Sequence, residues 1–368
     1  MLFLLLLLTS PVWAQITDAS FFPSVKSINP GIVRLRNGGF LAADSGNKNI
    51  EKNHDVPLGG IVGGIKTEVE LKKQTFFAGA GYKYIGAEVL MDKESGTRKE
   101  TINSTTQGKR TISDETNSNY QGVMLDLWLV GISYATADFD YLNEFRVGTP
   151  PTLTARDEKK DLTYTTVKTG SAFKILNLRF GGYILDQQAK GDYTYTYYDP
   201  TTGNQGTSEA FKAKNSARGY GYGIGATFAK FRAEISTERM YDTKLKISSD
   251  YPGAITQPKP SSRLSAVAEA RVFFAAIGIR FRSIKGNFTD LEDLISSNIL
   301  YDKIGANDTR TETSFNLSLG DKKGFSPSAF YTTSTVTSQE LSPVFDNGLK
   351  YKAVTKSKAF GFNISYRF

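Results

Sequence analysis

The sequence predicts an all-β protein, a single closed antiparallel transmembrane β-barrel of about fourteen strands, with twelve or sixteen strands as alternatives. Three observations predict it. Many segments alternate apolar with polar or small residues, which is the two-residue period of a β-strand. After the first residues, no apolar run is long enough for a membrane helix, which takes ~20 residues. Only 39 % of the residues are hydrophobic although 12 % are aromatic, as expected where every second strand residue faces lipid.

The chain begins with a predicted signal peptide over residues 1–14. Residues 2–8 are an unbroken apolar run, and Val12 and Ala14 place small side chains before a cut at Gln15. The segment lacks the basic residues that usually precede such a run, and the alternative is a buried N-terminal helix. We therefore expect a 15–30 hatch-like or periplasmic segment and a barrel over 31–368.

The strand pattern is clearest at the C-terminus. Its apolar members alternate with small or polar residues, so that one face is wholly apolar. They are Phe360, Phe362, Ile364, Tyr366 and Phe368. This ending resembles the C-terminal assembly signal of outer-membrane proteins. The resemblance implies the outer membrane of a Gram-negative bacterium as the location, and the barrel-assembly machinery as a partner.

Fourteen segments are predicted as strands, and short connections alternate with long polar ones, as in outer-membrane barrels. The predicted strands are 31–43, 56–70, 74–91, 119–129, 131–142, 160–173, 177–198, 207–228, 231–248, 262–274, 276–287, 308–319, 325–340 and 349–368. The long external loops are 92–118, 143–160, 199–206, 249–261, 287–307 and 341–348. A capping box predicts a short helix at 290–297, either a lid over the lumen or simple loop packing.

Charged residues recur on the predicted inward faces and are the candidate lumen or constriction residues. They are Arg179, Arg232, Glu234, Glu269, Arg271, Arg280, Arg282 and Glu312. Opposite charges on neighbouring strands can pair across the sheet and brace the barrel interior. The functional alternative is a charged constriction that selects polar or anionic solutes.

Other chemistries find little support in the sequence. The chain has no cysteine, and its one histidine, His54, lies in a polar stretch predicted to be an external loop. Neither a metal site nor a cofactor is predicted, and we expect no enzyme activity. The net charge of +8 is scattered rather than concentrated in a block, so nucleic acid is not an expected partner. Outer-membrane lipid and anionic lipopolysaccharide are the expected surface partners.

Asn29-Pro30-Gly31, ahead of the predicted strands, resembles the hatch motif of the FadL-like family of hydrophobic-compound transporters. That family has an Asn-Pro-Ala motif in an N-terminal hatch and a fourteen-stranded barrel. The resemblance implies Asn29 and Pro30 as hatch residues. Gly31 departs from the family's alanine, and Asn-Pro-Gly also forms ordinary turns.

Together these features predict passive transport of small or hydrophobic solutes, fatty-acid-like compounds among them, by a FadL-like or porin-like barrel. The alternative is a non-transporting surface-binding or structural barrel that uses its external loops. A third class, an enzyme built on His54 or on lumen carboxylates, is the one we predict against.

Overall fold

The computed structural model describes the strands and the tightest turns of the chain. The described residues are 38–55, 61–82, 85–104, 108–127, 130–148, 151–199, 202, 204–228, 230–247, 261–285, 309–319, 324–341 and 350–367. The predicted signal peptide, the hatch-like segment with Asn29 and Pro30, the predicted helix at 290–297, and Phe368 lie outside these ranges.

The described residues form fourteen antiparallel strands. They are β1 Gly38–Asp55, β2 Ile61–Tyr82, β3 Ile85–Ser104, β4 Gly108–Leu127, β5 Val130–Gly148, β6 Pro151–Ile175, β7 Leu178–Tyr198, β8 Gln205–Phe228, β9 Phe231–Ile247, β10 Ser261–Val272, β11 Ala275–Lys285, β12 Thr309–Leu319, β13 Gly324–Leu341 and β14 Lys350–Arg367. Over these ranges, no helix is long and apolar enough to cross a membrane.

The sheet closes on itself through its first and last strands. Each strand pairs with its neighbours in sequence, and β1 pairs with both β2 and β14. The β1–β14 register is continuous from Phe40 opposite Arg367 to Asp55 opposite Lys352. Closure gives every strand a hydrogen-bonded neighbour on both sides, so the sheet presents no open edge.

Burial alternates along the strands with a period of two, which separates an apolar outer face from an inner face. On β11, Ile277, Ile279 and Phe281 are 41–57 % exposed, while Arg280 and Arg282 between them are at most 7 % exposed. The polar side chains are the buried ones, so the inside of the barrel is where charge is enclosed. An exposed apolar outer face is what a transmembrane barrel presents to lipid.

The outer apolar residues form a belt near the end of the barrel that carries the short turns. On β7, the outward Leu178, Phe180 and Ile184 are followed on the same face by Asp186. The strand continues to Tyr198, which adds about 40 Å of strand beyond the belt at ~3.3 Å per residue. In contrast, β10, β11 and β12 have only 12, 11 and 11 residues. Over the described residues, the wall is therefore tall around β7 and low around β10–β12.

The structure corrects the predictions for the N-terminal third. The first three predicted strands, 31–43, 56–70 and 74–91, are displaced from β1, β2 and β3. The predicted loops 92–118 and 143–160 are largely the upper parts of β3 to β6, and His54 lies in β1 rather than in a loop. The reason is physical: above the belt both faces of a strand meet water, so polar residues replace the alternation that identifies a strand.

Candidate functional site in the barrel interior

Seven of the eight predicted lumen residues lie on one side of the barrel, on β9 to β12. Five of them are buried inward: Arg232, Glu269, Arg280, Arg282 and Glu312. Glu234 and Arg271 are partly buried on the same face. Arg179 lies in β7 opposite Gly225, and its side chain is not among those described. Their inward placement follows the predicted parity, whereas their role in transport stays a prediction.

Three arginines converge on one carboxylate and form what we term the arginine cluster: Arg280, Arg282, Arg310 and Glu312. Arg282 and Glu312 are direct cross-strand partners, and Arg282 donates from Nε and Nη2 to Oε1 at 3.1 and 2.7 Å. Arg280 Nη2 donates to the same oxygen at 3.1 Å, and Arg310 Nη2 to Oε2 at 3.0 Å.

The arginine cluster is both rigid and electropositive. Charge-assisted hydrogen bonds are about twice as strong as neutral ones, and the planar guanidinium fixes their direction. All four side chains are at most 8 % exposed, so water screens their charges little. Three guanidiniums against one carboxylate give these four residues a formal charge of +2, which disfavours cations in this part of the interior.

A second network links strands that are not neighbours. Lys168 on β6 lies 3.8 Å from Glu238 on β9, and Arg263 on β10 donates to the same carboxylate oxygen at 3.1 Å. The Lys168 ammonium also lies 5.2 Å from the centre of the Tyr183 ring, which is cation–π geometry. All three charged side chains are at most 9 % exposed.

Glycines on β8 leave room for the contact between Lys168 and Glu238. Between β6 and β9, the inward face of β8 carries Gly219, Gly221, Gly223 and Gly225. A Cβ at Gly221 would lie 2.3 Å from the Tyr183 ring, so the ring occupies the space that a side chain would fill. A bulkier strand here would separate Lys168 from Glu238.

The interior also has a purely apolar part, which we term the apolar cluster. Its buried members are Tyr183, Leu185, Ala217, Met240 and Ile284. Leu185 lies against Gly219, where an added Cβ would meet it at 3.1 Å. Tyr183 belongs to the apolar cluster and to the Lys168 network, so apolar surface and paired charge are adjacent in the lumen.

A run of small polar side chains lines the inward faces of β12 and β13: Ser314, Asn316, Ser318, Ser326, Ser328 and Ser334. Ser318 and Ser326 hydroxyls lie 2.8 Å apart, and Thr332 Oγ1 donates to Ser314 at 3.0 Å. Within the described structure, the buried amide of Asn316 has no hydrogen-bond partner on either polar atom. This wall offers hydroxyl and amide groups beside the arginine cluster.

Sequence reasoning missed four of the charged residues that complete these networks: Lys168, Glu238, Arg263 and Arg310. Arg310 could have been predicted from the sequence, since it precedes Glu312 by two residues and therefore lies on the same face of the strand. The contact of Lys168 with Glu238 could not have been predicted, because it depends on the curvature of the barrel across two intervening strands.

His54 and the acidic side chains are the residues on which metal or catalytic chemistry would depend. Over the described ranges, no group of three or more His, Asp or Glu side chains is placed to hold a metal ion. The backbone of His54 pairs with Ala353 on β14, and its side chain is not among those described.

Comparison with solved structures supports the fold, whereas comparison of the sequence with known proteins gives no match. No family model and no curated protein match the chain. Among solved structures, it is similar to a Pseudomonas aeruginosa FadL homologue, with a TM-score of 0.59, 11 % identity and 90 % of each chain covered. It is also similar to the Pseudomonas putida toluene transporter TodX, with a TM-score of 0.55, 7 % identity, and 97 % of this chain and 99 % of that chain covered.

A third similar structure is a deltaS2 mutant of the TodX monoaromatic hydrocarbon channel, with a TM-score of 0.56 and 8 % identity over 90 % of this chain and 91 % of that one. The predicted FadL-like resemblance is thereby confirmed at the level of the fold. At identities this low, a shared fold does not by itself carry a shared activity.

Proposed function

We propose that the protein is an outer-membrane channel for passive entry of small hydrophobic solutes. The observation that carries the proposal is the apolar cluster inside a barrel of FadL-like fold. Leu185, Met240 and Ile284 make this part of the interior apolar, and an apolar interior favours hydrophobic solutes over water-soluble ones. Ligand sites typically combine such apolar lining with a few placed polar groups.

The outer membrane is the proposed location. The exposed apolar belt, the closed antiparallel sheet and the outward aromatic residues of β14 fit a bilayer-spanning barrel. The solved structures of similar fold include a toluene transporter and a monoaromatic hydrocarbon channel, which supports small apolar compounds as the solute class.

In this proposal, the main role of the paired charges is to stabilise the barrel. The described contacts of Glu312 and Glu238 are ion pairs with arginine or lysine that hold β6 and β9–β12 in one geometry. The surplus positive charge of the arginine cluster favours a second candidate, a pathway for anionic solutes.

Uptake into vesicles that contain the purified protein and carry lipopolysaccharide in their outer leaflet tests the proposal, because small apolar solutes cross a plain phospholipid bilayer without a channel. Labelled toluene and a long-chain fatty acid should enter faster than into protein-free vesicles of the same lipids, and glucose should not. Met240→Glu places a charge in the apolar cluster and should reduce hydrophobic uptake at least tenfold, since a buried unpaired charge costs several kcal/mol and a tenfold change is about 1.4 kcal/mol. Leu142→Glu, at an outward position that is 47 % exposed, is the matched control and should leave uptake unchanged.

The alternatives give different results in the same system. A chloride current that falls in the Arg280→Ala, Arg282→Ala double variant, without hydrophobic uptake, would support the anion pathway instead. A folded barrel that moves none of these solutes would contradict transport and favour the surface-binding alternative.

A further inference from the structure

The outer face of β8 and β9 carries three tyrosines at the upper border of the apolar belt. Tyr220, Tyr222 and Tyr241 are 38–58 % exposed. The rings of Tyr220 and Tyr222 are stacked with centroids 6.4 Å apart, and Tyr241 lies 6.1 Å from Tyr220. Exposed aromatic side chains at the edge of an apolar belt mark the level of the lipid headgroups.

Two arginines stand at this same level. Arg218 is opposite Tyr241 in the β8–β9 register, and Arg239 is opposite Tyr220, so the two arginines are diagonal neighbours about 7–8 Å apart. Both are exposed on the outer face. Arg218 Nε lies 3.5 Å from Asp186 Oδ2 on β7, which orients its guanidinium along the wall.

Charges of both signs lie on the outer face of this sector. The outward cations above the belt on β7, β8 and β9 are Lys190, Lys212, Lys214, Arg218 and Arg239. The outward acidic side chains on the same described strands are Asp186 and Asp192. The cations outnumber the acids by five to two, so this sector carries a local surplus of positive charge.

A shallow hollow adjoins the arginines, and it combines polar groups with a larger share of apolar lining. It lies between β6 and β7, has a volume of about 180 Å³, and includes Asp186, the partner of Arg218. Its other lining residues are Thr163, Thr165, Val167, Gln188 and Lys190. The hydroxyl, amide and ammonium groups are suited to the hydroxyls of a sugar.

We propose that the outer face of β6–β9 is a binding site for a phosphorylated glycolipid of the outer leaflet, a lipopolysaccharide. Arg218 and Arg239 hold a phosphate between them, because paired guanidiniums bind phosphate with directed, charge-assisted hydrogen bonds. The sugars occupy the hollow between β6 and β7, with their hydroxyls toward its polar groups. The acyl chains lie below, along Tyr222, Ile224 and Ile235, which are 44–58 % exposed on the belt. The inference rests on the outer-membrane location given under the proposed function.

The test compares lipopolysaccharide bound by the detergent-purified wild-type protein and by an Arg218→Gln, Arg239→Gln double variant. Native mass spectrometry counts the copies retained and, on titration with defined lipopolysaccharide, gives relative affinity. The double variant should bind about tenfold to a hundredfold more weakly, as expected for losing two charged hydrogen-bonding groups. Enzymatically dephosphorylated lipopolysaccharide should bind both proteins equally weakly.

Lys356→Gln, Lys358→Gln is the matched control. These exposed lysines on β14 stand directly above the belt residue Phe360, as Arg218 stands above Tyr220. The control should bind as the wild type does. An equal loss of lipopolysaccharide binding in the control and test variants would show that any exposed positive charge has this effect, and would overturn the site. Unchanged binding by the test variant would also overturn it.

Failure of this inference is separable from failure of the proposed function. Solute uptake into the lipopolysaccharide-containing vesicles should be unchanged in the Arg218→Gln, Arg239→Gln variant, because both side chains are outside the lumen. Absence of uptake by every variant would contradict the channel and leave the lipid measurement standing.

Discussion

Glu312 is the side chain on which the arginine cluster depends. It is 4 % exposed and is the carboxylate that Arg280, Arg282 and Arg310 share. Without it, three guanidiniums would face one another in a poorly hydrated space. The cost of removing one partner of a buried ion pair is mostly the cost of the charge left behind.

We therefore expect Glu312→Ala to lower the free energy of unfolding by about 3–5 kcal/mol, the usual loss when a buried pair is broken. Urea unfolding of the detergent-solubilised barrel, followed by tryptophan fluorescence, measures it. Glu115→Ala is the control, since Glu115 is exposed on the outer face and surface changes usually stay within ~0.5 kcal/mol. Equal stability of the two variants would contradict a structural role for the arginine cluster.

At the scale of the element, the sequence was most informative where a strand has one lipid face. The predicted strands 177–198 and 325–340 match Leu178–Tyr198 and Gly324–Leu341 within a residue. Prediction failed for β3 and β4, whose upper parts were assigned to a loop. Those parts are extended because each pairs with the other, from Ser104 opposite Gly108 downwards. Such pairing is a property of two segments together, and polar residues on both faces conceal it in either segment alone.

In the barrel interior, too, the sequence predicted the direction of side chains but not their contacts. Parity alone placed Arg280, Arg282 and Glu312 on the inward face, because a strand side chain has only two directions. Which of them meet depended on register and curvature. The contact of Lys168 with Glu238 therefore emerged only with the closed barrel.

The upper part of the β3–β4 hairpin, residues 97–115, can be tested as a unit by removing it. We expect that residues 97–115 can be replaced by an Asn-Gly turn between Gly96 and Thr116, which are register partners. The belt residues Val89 and Val123 remain, so heat-modifiable gel migration and solute uptake should survive. Loss of the folded barrel would contradict this prediction and show that the pairing of residues 97–115 with β2 and β5 is needed for folding. Loss of cell attachment with uptake intact would support the surface-binding alternative.

The whole molecule is a barrel with an apolar belt near one end and polar walls of unequal height beyond it. Among the residues that the structure describes, β10–β12 have 12 residues or fewer and lack the extended polar part that β7 has. A belt in this position fixes the depth of the barrel in a bilayer, because exposed apolar area is stabilised by lipid and charged side chains by water. The taller walls then stand outside the membrane, on the side away from the short turns.

This placement can be measured with single cysteines, because the natural chain has none. Ile184 and Asp192 both point outward on β7, the first within the belt and the second eight residues above it. In intact cells, a membrane-impermeant maleimide should label Asp192→Cys and leave Ile184→Cys unlabelled, since lipid covers only the belt. In detergent-free urea, where both sites are accessible, the two should label equally. Labelling of Asp192→Cys only after the outer membrane is permeabilised would place the tall wall on the periplasmic side. That result would overturn the orientation and, with it, the lipopolysaccharide site on β6–β9.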